Sequence, residues 1–347
     1  MSRIAYVCPV TRQPLQPGAD GLVRADGAVF RFLAGAEEAE HGVPDFLDRS
    51  TMGEHQRASL AMYDTDAAPE IYRNFLDWLF ATFDVQEESW RRSMTARLRL
   101  AAGDAVLVTG CGLGDDTPSL LDAVGPSGEV WMQDLSAKMI RQAVARWGRE
   151  RPQAAAQLQF SVGDALRLPF ADGAFDAAFH FGGINLYDNV DAGIAEMARV
   201  VRPGGRVVVG DEGIAPWLRE TDYGRMVVTN NPLWAHSAPI ALLPETATDV
   251  TLDWVLGQCF WVIGFSVGTG LPTINPHVPH KGRRGGTMWT RYRGQLESVT
   301  PETRTLVQQA AATAGLSVHE WLEQALRARL AVDQSSSSTA NPNPVRP

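Results

Sequence analysis

Cysteine is scarce in this chain. Cys8, Cys111 and Cys259 are the only three among 347 residues, too few and too scattered for a disulfide framework. Long apolar runs are scarce too. The greasiest stretch, Trp254 to Gly268, falls short of a membrane span and carries Gln258 and several glycines; it reads as a buried strand with its approach. The opening MSRIAYVCPVT has no long apolar segment behind a basic flank, so no secretory signal is legible. Positive charge is outweighed as well. The formal net charge of −9 argues against a general nucleic-acid partner, whose surface must be basic enough to displace phosphate counterions; a local basic patch stays open. These absences lead to the expectation of a soluble, cytoplasmic protein without a membrane segment.

What is present suits a globular enzyme: 45% apolar and 20% charged residues are ordinary values for one. The length allows one sizeable core with appended modules. Six segments follow from the patterning. Residues 1–50 alternate short apolar stretches with Gly and Pro, as a small β-rich leader would. Residues 51–100 turn helical, with Ile71, Phe75, Trp78 and Leu79 recurring at helical spacing. Residues 101–213 alternate short apolar runs with amphipathic stretches, which predicts a parallel sheet with crossover helices. Residues 214–295, rich in Trp, Pro and Gly, form a lid or acceptor region with the last strands. Residues 296–332 are helical, and 333–347, with SSSS and NPNP, read as a disordered tail.

The strongest local signal is AVLVTGCGLGDDT, residues 105–117. An apolar strand runs into Gly110, Gly112 and Gly114, and a helix begins near Asp116 or Thr117. Glycines at this spacing permit a tight strand-to-helix turn and close approach of a ligand to the backbone. Asp115 stands where the dinucleotide-binding GxGxxG pattern would need its third glycine. A second strand, Glu129 to Gln133, ends in Asp134, where a carboxylate can accept hydrogen bonds from ribose hydroxyls. A third, Leu158 to Val162, leads into Gly163-Asp164-Ala165. A fourth spans Phe175 to Phe181. The stretch EMARVVRPGGRVVVGDE then supplies a helix, a turn and a fifth strand.

With these pieces in order, residues 88–216 resemble the class I S-adenosylmethionine-dependent methyltransferases, most closely the quinone-biosynthesis C-methyltransferase group. The matching segments are WRR (90–92), GCGLGD (110–115), QDLSAKMI (133–140), GDALRLPFADGAFD (163–176), FGGINLYDNVD (181–191) and EMARVVRPGG (196–205). The resemblance implies an α/β Rossmann-like sheet and S-adenosylmethionine as cofactor. It implies cofactor contacts at Thr109, Gly110, Cys111, Gly112 and Gly114, with Gly110, Cys111 and Gly112 along the methionine moiety. It places Asp134 with Leu135 at the ribose, and Asp164 with Ala165 at the adenine. One position departs: Val108 stands where the family usually has an acidic residue that helps hold the methionine end, so Thr109, Asp115 or a residue of the N-terminal helices is expected to compensate. The leader also resembles the zinc ribbon that precedes some methyltransferase domains. Its second cysteine is missing, since Cys8 is followed by Pro9, Val10 and Thr11. Structural zinc needs four ligands, and beyond Cys8 the segment offers His41 and little else, so no metal is expected.

Acceptor-side groups in open α/β sheets come from the loops after the strands. His180 is a candidate general base, because an imidazole titrates near neutrality, and a packed strand residue is the alternative. Tyr187 is the second candidate, in catalysis or in closing over the cofactor; Asn185 is expected to orient the loop. Five tryptophans, Trp217, Trp234, Trp254, Trp261 and Trp289, either wall a flat apolar pocket or form the core of a lid. The stretch PHVPHKGRRGG (276–286) suits an anionic group on the acceptor, with a solvated loop as the plain alternative. Finally, TMWTRYRGQLESV reads as a strand, Thr300 and Pro301 start a helix, and Ser317 with Glu320 caps another. That order resembles the ribbon-helix-helix fold and argues for a homodimer. The functional expectation is methyl transfer to a small, largely apolar or aromatic acceptor. The alternatives are a macromolecule-modifying methyltransferase and a cofactor-binding regulator with a degenerate site.

Overall fold

The computed structural model describes residues 4–36, 39, 42–292 and 299–337. The chain divides into two compact units, Met1–Leu271 and Pro272–Pro347. The first opens with a three-stranded antiparallel sheet of β1 (Gln16–Pro17), β2 (Gly21–Val23) and β3 (Val29–Arg31). Three helices follow: α1 (Glu54–Tyr63), α2 (Ala68–Thr82) and α3 (Glu87–Ala96). Then strands and helices alternate as β4 (Ala105–Thr109), α4 (Thr117–Val124), β5 (Glu129–Asp134), α5 (Ala137–Glu150), β6 (Leu158–Val162), β7 (Phe175–Phe181), α6 (Val190–Val200) and β8 (Val201–Glu212). The unit closes with α7 (Asp222–Asn230) and the hairpin β9 (Ala247–Val255) and β10 (Phe260–Val267).

The main sheet has seven strands in the order β6-β5-β4-β7-β8-β10-β9. The first five pair in parallel, and β10 runs antiparallel to both β8 and β9. Alternation along β4 explains why every one of its residues is buried: Val106 and Val108 join the layer under α2 to α5, while Ala105 and Leu107 join the layer containing α6. The strand order reverses between β4 and β7, so the loops after β4 and β7 diverge there and leave a crevice at the strands' carboxyl ends. The Pro203-Gly204-Gly205 segment is a local excursion of β8, for Phe175 pairs with Val201 but Ala177 already pairs with Arg206.

The leader covers the edge of β6, where Phe46 N donates to Val162 O at 2.8 Å and Val162 N to Pro44 O at 3.0 Å. Tyr6 stacks on Phe170 at 5.3 Å. Cys8 lies buried in the leader's own small core, and Thr11 N approaches its sulfur at 3.5 Å; His41 is outside the described residues.

Three local expectations change. On α2 the buried face is Ala68, Leu76, Leu79 and Phe80, whereas Ile71 is 64% and Trp78 42% exposed; periodicity identified the helix but set its inward face about one position off. In the second unit the expected strand beginning TMWTRY is instead a short helix, α8 (Met288–Tyr292). Thr287 and Thr290 cap it reciprocally, N to Oγ1 at 2.8 and 3.2 Å, and local capping outweighs the β-propensity of Trp, Thr and Tyr. Residues 293–298, the rest of that expected strand, lie outside the described residues. The helices α9 (Pro301–Thr313) and α10 (Val318–Ser337) have the anticipated caps, Thr300 Oγ1 accepting from Thr303 N and Glu320 Oε2 from Ser317 N. α10 runs past residue 333, where the tail was expected to begin. An ion pair one turn apart, Arg329 to Asp333 at 2.9 Å, carries the helix toward that point. Among the described residues no helix is long and apolar enough to cross a membrane.

Candidate cofactor and acceptor site

The crevice at the carboxyl ends of β4, β5, β6, β7 and β8 holds a cavity of about 170 Å³. Its floor is the turn after β4. Gly110 and Gly112 adopt φ of 59° and 55°, a region that side-chain-bearing residues rarely enter. A Cβ on Gly110 would stand 2.9 Å from His180 Cε1, so the imidazole occupies space that only glycine leaves free. Gly114 serves packing instead: a Cβ there would meet Trp147 Nε1 at 2.8 Å and Met132 Sδ at 2.9 Å.

Asp134 ends β5 beside this turn. One carboxylate oxygen accepts from Gly112 N and the other from Ser136 N, each at 2.8 Å. Burial raises its pKa against the pull of those donors. The same carboxylate therefore lines the cavity and shapes the glycine turn. Asp164, after β6, accepts from Leu166 N at 2.8 Å and from Gln56 Nε2 at 2.6 Å. Gln56 belongs to α1, and with Tyr63, Tyr72 and Phe75 it makes the helical wall of the cavity. Sequence reasoning assigned these four no role, since their spacing is simply helical.

Of the anticipated cofactor residues, Gly110, Gly112, Asp134, Leu135, Asp164 and Ala165 line this cavity together. Thr109, Cys111 and Gly114 do not. Thr109 is fully buried with Oγ1 3.1 Å from His180 Nδ1. Cys111 turns to the other side of the loop, where it lines a small hollow of about 30 Å³ with Val108, Arg91, Tyr72 and Asp116. Asp115 and Asp116 are engaged by arginines, Asp116 by Arg91 at 3.0 Å and Asp115 by Arg146 at 2.5 Å. The WRR segment thus clamps the loop after the glycines to α3. Beside Gly112 the nearest N-terminal side chain is Tyr72, about 3.7 Å from a Cβ placed there.

The acceptor side is built by β7 and β8. His180 is buried, and its Nδ1 lies 2.9 Å from Thr109 O and 3.4 Å from Tyr187 Oη. Donation from Nδ1 to that carbonyl leaves the lone pair on Nε2, which has no hydrogen-bond partner among the described residues. Burial lowers the imidazole's pKa, so it is neutral at pH 7. Tyr187 lines the cavity with its phenol pKa pushed far up by burial. Asn185 ties the two loops, its N donating to Asp211 Oδ2 at 2.6 Å and its Nδ2 to Glu212 O at 2.8 Å.

Two further carboxyls were not singled out from sequence: Asp211, fully buried, and Glu212, in the cavity wall. Their place at the carboxyl end of a parallel strand was the available signal. Among the described residues no Lys or Arg lines the cavity. With Asp134 and Asp164 around it, the cavity favours a ligand carrying positive charge. None of the five tryptophans lines it; Trp234 and Trp261 are core, and Trp217 is exposed. The basic stretch after Pro276 belongs to the second unit, where Lys281, Arg283 and Arg284 line a separate open cleft. Among the described residues no group of three His, Cys, Asp or Glu could hold a metal.

Residues 106–205 match a family described as a methyltransferase domain. A demethylmenaquinone methyltransferase of Beutenbergia cavernae is 40% identical over 128 residues, 37% of this chain and 49% of that protein. A ubiquinone/menaquinone biosynthesis C-methyltransferase of Burkholderia orbicola is 37% identical over 122 residues, 35% of this chain and 48% of that protein. The chain spans about half the length of these curated relatives. Among solved structures, phosphoethanolamine N-methyltransferase 2 of Haemonchus contortus, in complex with S-adenosyl-L-methionine, matches with a TM-score of 0.50 at 13% identity. That match covers 74% of this chain and 71% of that one, a likeness of fold.

Proposed function

We propose that this chain, whose core is a class I methyltransferase domain, uses S-adenosylmethionine to methylate a small, largely apolar or aromatic acceptor. One observation carries the reading. The glycine turn, the carboxylate of Asp134 and the Asp164–Gln56 pair converge on one cavity that no Lys or Arg among the described residues lines and that suits a sulfonium and an ammonium group. Gly110 and Gly112, with Tyr72 above them, would hold the methionine end in place of the usual acid. Asp134 and Leu135 would meet the ribose, and Asp164, Ala165 and Gln56 the adenine. When bound, S-adenosylmethionine supplies an electrophilic methyl group.

The protein's own part is to orient the acceptor, exclude water and manage a proton. Phe75, Phe181, Leu186 and Leu233 give the cavity apolar walls. Neutral His180 supports Gly110 and positions Tyr187, and it remains a candidate base through Nε2. The matched relatives are named for quinone methylation, one of them on carbon; we infer an aromatic ring bearing a hydroxyl as the acceptor class. A cytoplasmic location and a homodimer belong to the same proposal. The dimer would form through α10, where Leu326 and Leu330 are more than half exposed.

Calorimetric titration with S-adenosylmethionine, followed by a screen of hydroquinones and other small acceptors for S-adenosylhomocysteine release, tests the reading. Binding with turnover on a hydroquinone is expected. Binding without turnover on any acceptor would point to a cofactor-binding regulator, and no binding would overturn the proposal. Light scattering of the full chain checks the dimer.

A further inference from the structure

Acidic residues are missing from a long reach of this chain: no Asp or Glu stands between Asp253 and Glu297. Within that reach the second unit begins with a strap, residues 272–292, that carries Lys281, Arg283, Arg284 and Arg291. The strap folds onto itself and onto the start of α10. His280 N donates to Gly286 O at 2.7 Å, and Val318 N donates to Arg283 O at 3.3 Å. Gly285 makes this seat possible, for its φ is 58° and a Cβ there would stand 2.3 Å from Ser317 Oγ. Arg291 is occupied by the same loop, with Nε and Nη2 donating to Gly285 O at 3.1 and 2.9 Å. Lys281, Arg283 and Arg284 are exposed, and among the described residues they make no ion pair. They line an open cleft of about 1580 Å³. Its one acid among the described residues, Glu320, is engaged by Ser317 through N at 2.9 Å and Oγ at 2.7 Å.

The same strap exposes apolar surface. Ile274, Val278, Met288, Trp289 and Tyr292 are between 40% and 85% exposed. Trp289 N donates to Pro276 O at 3.1 Å, which ties α8 back to the start of the strap. The rings of His277, Trp289 and Tyr292 follow one another at 6.0 and 6.3 Å. Charge alone would suit any polyanion. The aliphatic side chains narrow the choice, because Ile274, Val278 and Met288 offer no ring to a nucleic-acid base and gain by entering hydrocarbon. A second copy fits less well, since strap against strap would bring like charges together. We propose that the strap is a docking surface for an anionic lipid bilayer. Lys281, Arg283 and Arg284 meet the lipid phosphates, and the apolar side chains enter the boundary between headgroups and acyl chains. Long cationic stems and aromatic rings suit that boundary, apolar along the body and polar at the tip. The protein thus lies on the membrane, not across it. The inference is independent of the reaction carried out by the first unit.

Cosedimentation of the full-length protein with vesicles tests this. At low ionic strength the protein is expected to pellet with vesicles of phosphatidylcholine and phosphatidylglycerol in equal parts. It should stay in solution with phosphatidylcholine alone, and salt should release it from the mixed vesicles by screening the charges. The double variant Arg283→Gln, Arg284→Gln should bind about 20- to 30-fold more weakly, at about fivefold per charge. Ile274→Ser combined with Val278→Ser should also weaken binding while keeping its salt dependence. All four positions are exposed, so Tm and circular dichroism should match wild type. No pelleting with either vesicle, equal pelleting with both, or wild-type binding by either double variant overturns the proposal. Two rival occupants give distinct results. A single-stranded RNA oligonucleotide bound more tightly than the vesicles, with no loss in the Ile274→Ser, Val278→Ser variant, would assign the strap to nucleic acid and overturn the bilayer reading. A dimer that light scattering finds in wild type and loses in that variant would assign the apolar side to a second copy, and overturns it equally.

Discussion

The two halves of the cavity are made differently. On the side of β4, β5 and β6 the polar groups are held largely by backbone close by in sequence or across adjacent strands: Asp134 by Gly112 and Ser136, Asp164 by Leu166. On the side of β7 and β8 they are held across strands and by the loop after β7: His180 by the Thr109 carbonyl, and Asp211 by Asn185 N and Glu212 N. The first arrangement presets a binding surface whose charges are satisfied before any ligand arrives. In the second, burial lowers the His180 pKa and raises that of Glu212, which disfavours charge on both. Substitutions should separate the halves as loss of affinity against loss of turnover.

The largest loss of affinity is expected for Asp134→Ala, which removes two charge-assisted hydrogen bonds and frees the glycine turn. Each such bond contributes roughly 1.5–3 kcal/mol, so calorimetry should show S-adenosylmethionine binding weakened by at least about tenfold. Unchanged affinity would remove Asp134 from the site and break the contrast at its firmest point.

Glycine replacements sharpen the contrast within one loop. Gly110→Ala forces a side chain into a left-handed conformation, at a cost of about 1–2 kcal/mol, and drives its Cβ against His180. Both affinity and turnover should fall. Gly114→Ala overpacks Trp147 and Met132 and should cost about 1–3 kcal/mol of stability, seen as a lower Tm, with a smaller effect on binding. Equal effects on binding would mean that the two glycines share a role.

The titrating groups of the second half should act on stability with opposite signs. Burial lowers the His180 pKa below 6.5, so the unfolded chain binds the proton more readily, and stability falls as pH drops below that value. Glu212 is raised above its ordinary 4.5, so the folded chain binds the proton more readily. Its contribution is present below pH 4.5 and is lost as pH rises toward the folded value. Denaturation across pH should therefore show His180→Gln gaining on wild type under acid and Glu212→Gln gaining under alkali. Parallel curves for either variant would show that its group does not titrate on unfolding.

The smallest effect is expected for Tyr187→Phe. Its hydroxyl is only 3.4 Å from His180 Nδ1, whose proton already serves Thr109 O, so cofactor affinity should hold and turnover change little. A large fall in kcat would bring the phenol into contact with the acceptor.

The amino-acid sequence alone determined the strands and the half of the cavity along β4, β5 and β6. Strands β4 to β7 lie within a residue of their anticipated bounds, because buried parallel strands read as short apolar runs. Gly110, Gly112, Asp134 and Asp164 were legible because strand ends and left-handed turns impose their own residue types at short range. Tertiary structure decided the rest. It turned Thr109 and Cys111 away from the cavity, since successive residues leaving a strand face opposite sides. It brought in Gln56, Tyr63, Tyr72 and Phe75 from helices far earlier in the chain, put the tryptophans into core and surface, and folded the expected ribbon at Met288 into a helix. It also buried Asp211 against Asn185 and put Glu212 in the cavity wall. A side chain's charge state depends on burial and on the groups packed around it, and those neighbours are chosen by the fold, not by spacing along the chain.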